Sequence, residues 1–326
     1  MLGLRASRVG QEYVDQFSTR PPKARKESFV LLKAIKHRIE YGAAAIAIGA
    51  MGLAGIDTSA SVFAWISRTI GPRTRRHQRS LRNLAIAFPE RSPEELNTIA
   101  LEMWDNMGRV AAELILVDRM IADPSRIAIA ETPALEEAVE KRAPQIGVTL
   151  HSGNWELVIW PVRKFGGAPG GVYRPLANPH IDRMIRSRRE SLFSGGLFAK
   201  GKEEGPKAAK VLIDFVRGGG WLGFVCDHVD RRGIEVDFLG QSTRVTHVPS
   251  LIARHTSARV WIARAIRDGK KSRFRIDIKE IELPSGDDKR ADSHLATRRI
   301  FEQFEAWIRE YPEQWQWWNI RPLGDR

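Results

Sequence analysis

The apolar residues of this chain change their period once along its length. Up to about residue 135 they recur every three or four positions, as on one face of a helix. The stretch 73–88 sets Leu81, Leu84, Ala85 and Phe88 against a basic face. Ser92-Pro93-Glu94-Glu95 offers an N-cap serine, a proline at the first helical position and a glutamate at the third. That pattern predicts a capping box and a helix running to about Leu116 through Ile99, Met103, Met107 and Val110. From Ala143 onward, short apolar runs alternate with amphipathic stretches. Strands are predicted over 146–150, 171–173, 221–226, 234–238, 258–266 and 274–281. Helices are predicted over 156–165 with a kink at Pro161, over 179–191 capped by Asn178, and over 207–217, 248–255 and 292–311. The alternation predicts an α/β fold, a mostly parallel central sheet flanked by helices, with room for an antiparallel edge and with an N-terminal helical membrane-associating region. The expected division is a basic flexible arm over 1–30, a helical region over 31–135 and an α/β core over 136–326. There is no internal repeat.

The N-terminal pattern bears on membranes. Residues 41–56, YGAAAIAIGAMGLAGI, are mostly Ala and Gly, and Asp57 ends the run before apolar residues resume over 60–70. A spanning helix needs about 20 predominantly apolar residues. The segment 41–70 therefore reads as a short interfacial helix pair or a core hairpin, with a true span as the minority option. Charge sharpens the picture. With 52 Lys and Arg against 39 Asp and Glu, the net charge is +13. Such a chain suits an acidic partner: nucleic acid, anionic lipid, an acidic carrier protein or a phosphorylated substrate. No helix-turn-helix or RNA-binding aromatic motif is visible, which argues against nucleic acid. The one cysteine, Cys226, excludes an intramolecular disulfide and a cysteine zinc site. In the run WLGFVC it reads as a small core residue.

Residues 148–156, VTLHSGNWE, carry the first candidate chemistry. Five residues on a continuous helix turn the chain by about 500°, leaving His151 and Glu156 roughly 140° apart. A turn at Gly153-Asn154 would bring them together, with a strand before it and a helix after it. A neutral imidazole can take a proton from a hydroxyl, while a carboxylate holds its tautomer and stabilises the imidazolium. The plain alternative is a histidine hydrogen-bonded at a strand end. His151 and Asp227 both fall at carboxyl ends of predicted strands, where open α/β sheets carry active residues. No G-x-S-x-G elbow is present. A base without a protein nucleophile implies direct transfer of an activated acyl group to the substrate's own hydroxyl. GLFAKGKE, residues 196–203, nearly spells a phosphate loop, but Glu203 replaces the magnesium-binding Ser or Thr. The acidic DHVD at 227–230 lacks an H-E-x-x-H or cysteine companion, so neither a metal nor any cofactor is expected. The basic run 181–189 reads as a solvated helix face or a phosphate contact. The cluster EQWQWWN at 313–319 reads as core closure or a membrane-interface contact.

LHSGNWE followed by VYRPLANPHIDRMI resembles the late lipid A acyltransferases, the lauroyl and myristoyl transferases of the lysophospholipid-acyltransferase-like superfamily. LRNLAIAFPERSPEE, FVCDHVDRRGIEVDFLGQSTRVT and PEQWQWWNIRP match in the same order, so the resemblance covers roughly residues 30–326. It implies a helix-flanked sheet and a His-x4-Asp/Glu motif, falling here on His151 and Glu156. It implies substrate-binding or oxyanion roles near the site for Arg174 and Asp227; the 152–154 turn, Asn154 included, is the other source of oxyanion donors. The implied donor is an acyl carrier protein thioester. The implied acceptor is a hydroxyl on an acyl chain of a Kdo-bearing lipid A precursor at the cytoplasmic face of the inner membrane, with peripheral or weak attachment to that anionic surface. The strong positive charge suits all three partners. The chain departs from the family at His228, where many members have Gln. Two other readings stand beside this one: an acyl-CoA-dependent acyltransferase acting on another glycolipid such as a phosphatidylinositol mannoside, and a noncatalytic basic protein bound to membrane or nucleic acid.

Overall fold

The structure is a computed structural model and describes residues 23–130, 132–200 and 206–323. Residues 1–22 of the expected basic arm lie outside the described residues, as do Gly201, Lys202 and Glu203 of the phosphate-loop-like stretch. Helix α1 (Lys23–Ala54) runs for 32 residues and ends at Gly55. Gly55 has φ +82°, a left-handed value that breaks the helix and starts α2 (Ile56–Ile70) in a new direction. The apolar N-terminal stretch is thus the end of one long helix followed by a second. Leu31, Ile39, Ile46 and Leu53 of α1 and Val62, Trp65 and Ile70 of α2 stand exposed, while Met51, Ile56, Ala60 and Ala64 face inward. Among the described residues no helix is long and apolar enough to cross a membrane.

After α3 (Arg75–Ala87), helix α4 (Pro93–Ile115) opens with the expected capping box. Glu95 N–H donates to Ser92 Oγ (3.3 Å) and Ser92 N–H to the Glu95 carboxylate (2.8 Å). A short helix α5 (Val117–Ile121) leads to the sheet, whose elements follow in order: β1 (Ile127–Ile129), α6 (Pro133–Glu140), β2 (Gln145–Thr149), α7 (Trp160–Lys164), β3 (Pro169–Tyr173), α8 (Pro179–Arg189), β4 (Gly196–Ala199), α9 (Pro206–Arg217), β5 (Trp221–Val225), the hairpin β6 (Val229–Phe238) and β7 (Gln241–Val245), α10 (Val248–Thr256), β8 (Arg259–Arg267), β9 (Phe274–Ile281) and α11 (Lys289–Glu310). Seven strands form one sheet in the order β1-β9-β8-β2-β5-β3-β4, and β6–β7 stand as a separate pair. The sheet is mostly parallel. The antiparallel contact is β8–β9, one strand in from the edge, because β1 pairs parallel with β9. The strand β4 grows from GLFA of the phosphate-loop-like stretch. Pro161 lies in the first turn of α7, where a missing N–H costs nothing, and so marks a start in place of the expected kink.

Side chains alternate across the strands and supply a core to each face of the sheet. Ile146, Val148, Val260 and Ile262 pack with Val216 of α9, Ile252 of α10 and Phe301 and Phe304 of α11. Trp221, Trp261 and Ala265 pack on the other face with Leu135 of α6, Leu157, Val162 of α7 and Met120 of α5. The tryptophan cluster closes the first core. Trp315 and Trp317 are fully buried, and Trp318 stacks on Trp104 of α4 at 4.7 Å.

Candidate active site

Strands β2, β5, β3 and β4 run parallel and side by side, so their carboxyl ends share one edge. Thr149 lies opposite Val225, and Tyr173 opposite Ala199. The chain leaving each strand places His151, Asp227, Arg174 and Lys200 along that edge. Adjacent strands are about 4.8 Å apart. The row therefore brings together residues that are distant in sequence.

His151 meets Asp227. Its Nδ1 lies 2.6 Å from Asp227 Oδ1, and its backbone N–H donates to Oδ2 at 2.9 Å. Trp315 Nε1–H donates to the same Oδ2 at 2.7 Å, and Asn319 Nδ2 lies 3.4 Å from it. The Asp227 side chain is fully buried. Burial alone would raise its carboxyl, but the His151 charge, the hydrogen bonds from the His151 ring and backbone, and the His228 charge outweigh it and hold the group well below the usual carboxylate range. An ionised Asp227 makes Nδ1 the protonated ring nitrogen of neutral His151 and leaves Nε2 as the lone-pair atom. The ring meets Trp155 edgewise (5.0 Å) and the tilted ring of His228 (4.4 Å). Partial desolvation, the His151 ring and the nearby Arg174 and Lys200 cations hold His228 below its ordinary pKa, against the pull of Asp227.

The turn forms where the sequence suggests. Gly153 has φ +55°, and a Cβ there would sit 1.6 Å from the Ala265 carbonyl oxygen. The expected pairing of His151 with Glu156 is not the one the structure makes. After the turn the chain enters a single 3-10 turn, Leu157–Ile159, which carries the buried Glu156 into an ion pair with Arg189 of α8. Asn154 is 1% exposed, and its side chain is fully engaged: Nδ2–H donates to Glu113 Oε2 (2.9 Å) and Oδ1 accepts from Glu156 N–H (3.2 Å). The Ser152 and Gly153 amides, read from sequence as oxyanion donors, already donate to the carbonyls of Leu150 (2.8 Å) and Gln314 (3.0 Å). Arg174 stays exposed at the end of β3. Cys226 is 3% exposed, and burial raises its thiol far above the range in which a thiolate would form.

Sequence reasoning missed Trp315, Asn319, Glu113 and Arg267. Two of these left a signal. Glu113 falls on the buried stripe of α4 with Asn106 and Val110, and Arg267 ends the apolar run of β8. A charge in such a position is rare unless paired.

Residues 32–321 match the family described as bacterial lipid A biosynthesis acyltransferase. The chain is 26% identical over 254 residues to lipid A biosynthesis acyltransferase 1 of Shigella flexneri, covering 76% of this chain and 75% of that protein. It is equally similar, with the same coverage, to the lipid A biosynthesis myristoyltransferase of Escherichia coli strain K12. It is also 24% identical over 263 residues to a phosphatidylinositol mannoside acyltransferase of Mycolicibacterium smegmatis, covering 80% of this chain and 83% of that one.

Proposed function

The chain belongs to the bacterial lipid A biosynthesis acyltransferase family, and from that premise we propose that it moves a fatty acyl chain from an acyl carrier protein thioester to a hydroxyl of a Kdo-bearing lipid A precursor. The observation that carries the mechanism is the His151–Asp227 pair at the carboxyl edge of the sheet. His151 Nε2 takes the proton of the acceptor hydroxyl as its oxygen attacks the thioester carbonyl. Asp227 holds the ring in the Nδ1–H tautomer and stabilises the imidazolium that forms. The tetrahedral intermediate collapses by breaking the C–S bond, and His151 returns its proton to the departing thiolate. No acyl-enzyme forms, in keeping with the buried Cys226 thiol. Arg174 and Lys200 supply positive charge on the same edge for the phosphorylated substrate. The exposed apolar residues of α1 and α2 support peripheral attachment to the anionic cytoplasmic face of the inner membrane.

The test is an acyl-transfer assay with purified protein, a defined acyl carrier protein thioester and the Kdo-bearing precursor. The similarity to a phosphatidylinositol mannoside acyltransferase favours one second reading, transfer from acyl-CoA to another glycolipid. Crossing both donors with both acceptors separates the two. Transfer only from acyl-CoA to the mannoside would overturn the first reading.

A further inference from the structure

An ion pair that the proposed chemistry does not use packs against the 151–156 turn. Glu113 of α4 and Arg267 at the end of β8 have side chains that are 0% and 5% exposed. The Glu113 carboxylate accepts from Arg267 Nη1 (2.5 Å) and Nη2 (2.9 Å), from Ser272 Oγ (2.7 Å) and from Asn154 Nδ2 (2.9 Å). Arg267 Nε–H donates to Asn106 Oδ1 at 2.7 Å, and Asn106 Nδ2–H donates in turn to the Gly153 carbonyl at 3.0 Å. Gln314 completes the ring. Its side chain exchanges hydrogen bonds with the Arg267 backbone (2.8 and 3.2 Å), while its carbonyl accepts the Gly153 N–H (3.0 Å). Two residues further on, Gln316 N–H donates to the His151 carbonyl at 3.2 Å.

We propose that the buried Glu113–Arg267 pair is a positioning device for the catalytic turn, referring α4, β8 and the 314–316 segment to one rigid charge centre that fixes Gly153, Asn154 and through them His151. A role in stability alone explains the arrangement poorly. Taking two charges out of water costs several kcal/mol per ion, and apolar pairs of similar volume are often as stabilising or more so. An apolar pair has no directed bonds, so it leaves the Asn154 amide and the Asn106–Gly153 link without a fixed reference. Small misplacements of a reacting group cost much in rate.

The inference rests on the acyl-transfer reading above. Its test replaces both charges together, Glu113→Leu with Arg267→Met, so that no unpaired buried charge remains. The measurements are melting temperature, kcat and KM for both substrates, and amide hydrogen exchange over residues 148–157. The expected result is a protein that still melts cooperatively, with kcat lowered at least about tenfold, KM nearly unchanged, and faster exchange confined to the turn. The ion pair Arg254–Asp292, 2.8 Å and joining α10 to α11, serves as control. Arg254→Met with Asp292→Leu should leave kcat intact. Unaltered kcat and exchange in the Glu113/Arg267 double variant would overturn the proposal. Should that variant not fold, Asn106→Ala reads the same split, because it frees the Gly153 carbonyl and Arg267 Nε. Absence of transfer by the unaltered protein would instead defeat the functional reading, and the exchange measurement would still decide on the positioning role.

Discussion

At the residue scale, the two acids within reach of the motif do separate work. Asp227 touches the imidazole; Glu156 holds Arg189. His151→Ala and Asp227→Asn are each expected to lower kcat by ~10²–10⁴-fold. In a His151→Ala background, Asp227→Asn should add almost nothing, since the two act as a unit. Glu156→Gln should behave differently. It leaves the Arg189 guanidinium, 21% exposed, without its counter-charge, and so lowers melting temperature whether or not His151 is present. Steady-state kinetics and thermal melts on the single and double variants check this. A further acid answers to pH. Burial and the neighbouring Glu102 carboxylate raise the Glu313 pKa, opposed by hydrogen bonds from its own backbone and Gln314. An acid with a raised folded-state pKa costs stability only once pH exceeds its unfolded value, about 4.3. Glu313→Gln should therefore raise the melting temperature at pH 7, with the gain shrinking as pH falls and gone by about pH 4. Thermal melts across that range test the sign.

At the element scale, the turn and the two N-terminal helices set the terms. Gly153→Ala forces a left-handed φ on a side chain and drives its Cβ into the Ala265 carbonyl. The expected loss is about 2–5 kcal/mol, measured by denaturant unfolding. The turn was legible because glycine and asparagine between two periodic segments have a local meaning. So were the capping box at Ser92 and the Asn178 cap, which accepts from His180 N–H at 3.0 Å. The partner of His151 was not legible. Choosing Asp227 over Glu156 requires knowing that β5 lies beside β2, and strand order comes from pairing over long range. Helices α1 and α2 were legible as apolar segments, but their outward-facing residues emerge only when the inward face is known. Leu53 is 93% and Trp65 69% exposed. Leu53→Ser with Trp65→Ser should weaken binding to anionic vesicles at least about tenfold at every salt concentration, read by co-sedimentation.

At the scale of the whole molecule, a net charge of +13 gives the proposed membrane attachment a second component. Binding to anionic vesicles should fall as ionic strength rises through the range where the Debye length shortens to about 8 Å, and then level off, because apolar insertion is not screened. Equal affinity for neutral and anionic vesicles at low salt would remove the electrostatic half. The cage around Asp227 has a consequence in time as well as in space. Its carboxylate sits between a strand near the middle of the chain and the residues Trp315 and Asn319. During synthesis, at about 5–20 residues per second, the motif at 151–156 emerges long before those two do. A nascent chain that has just exposed its histidine has neither the Trp315 donor nor the Gln316 tether in place. The hydrogen bonds around Asp227 are therefore complete only once residues 315–319 have docked.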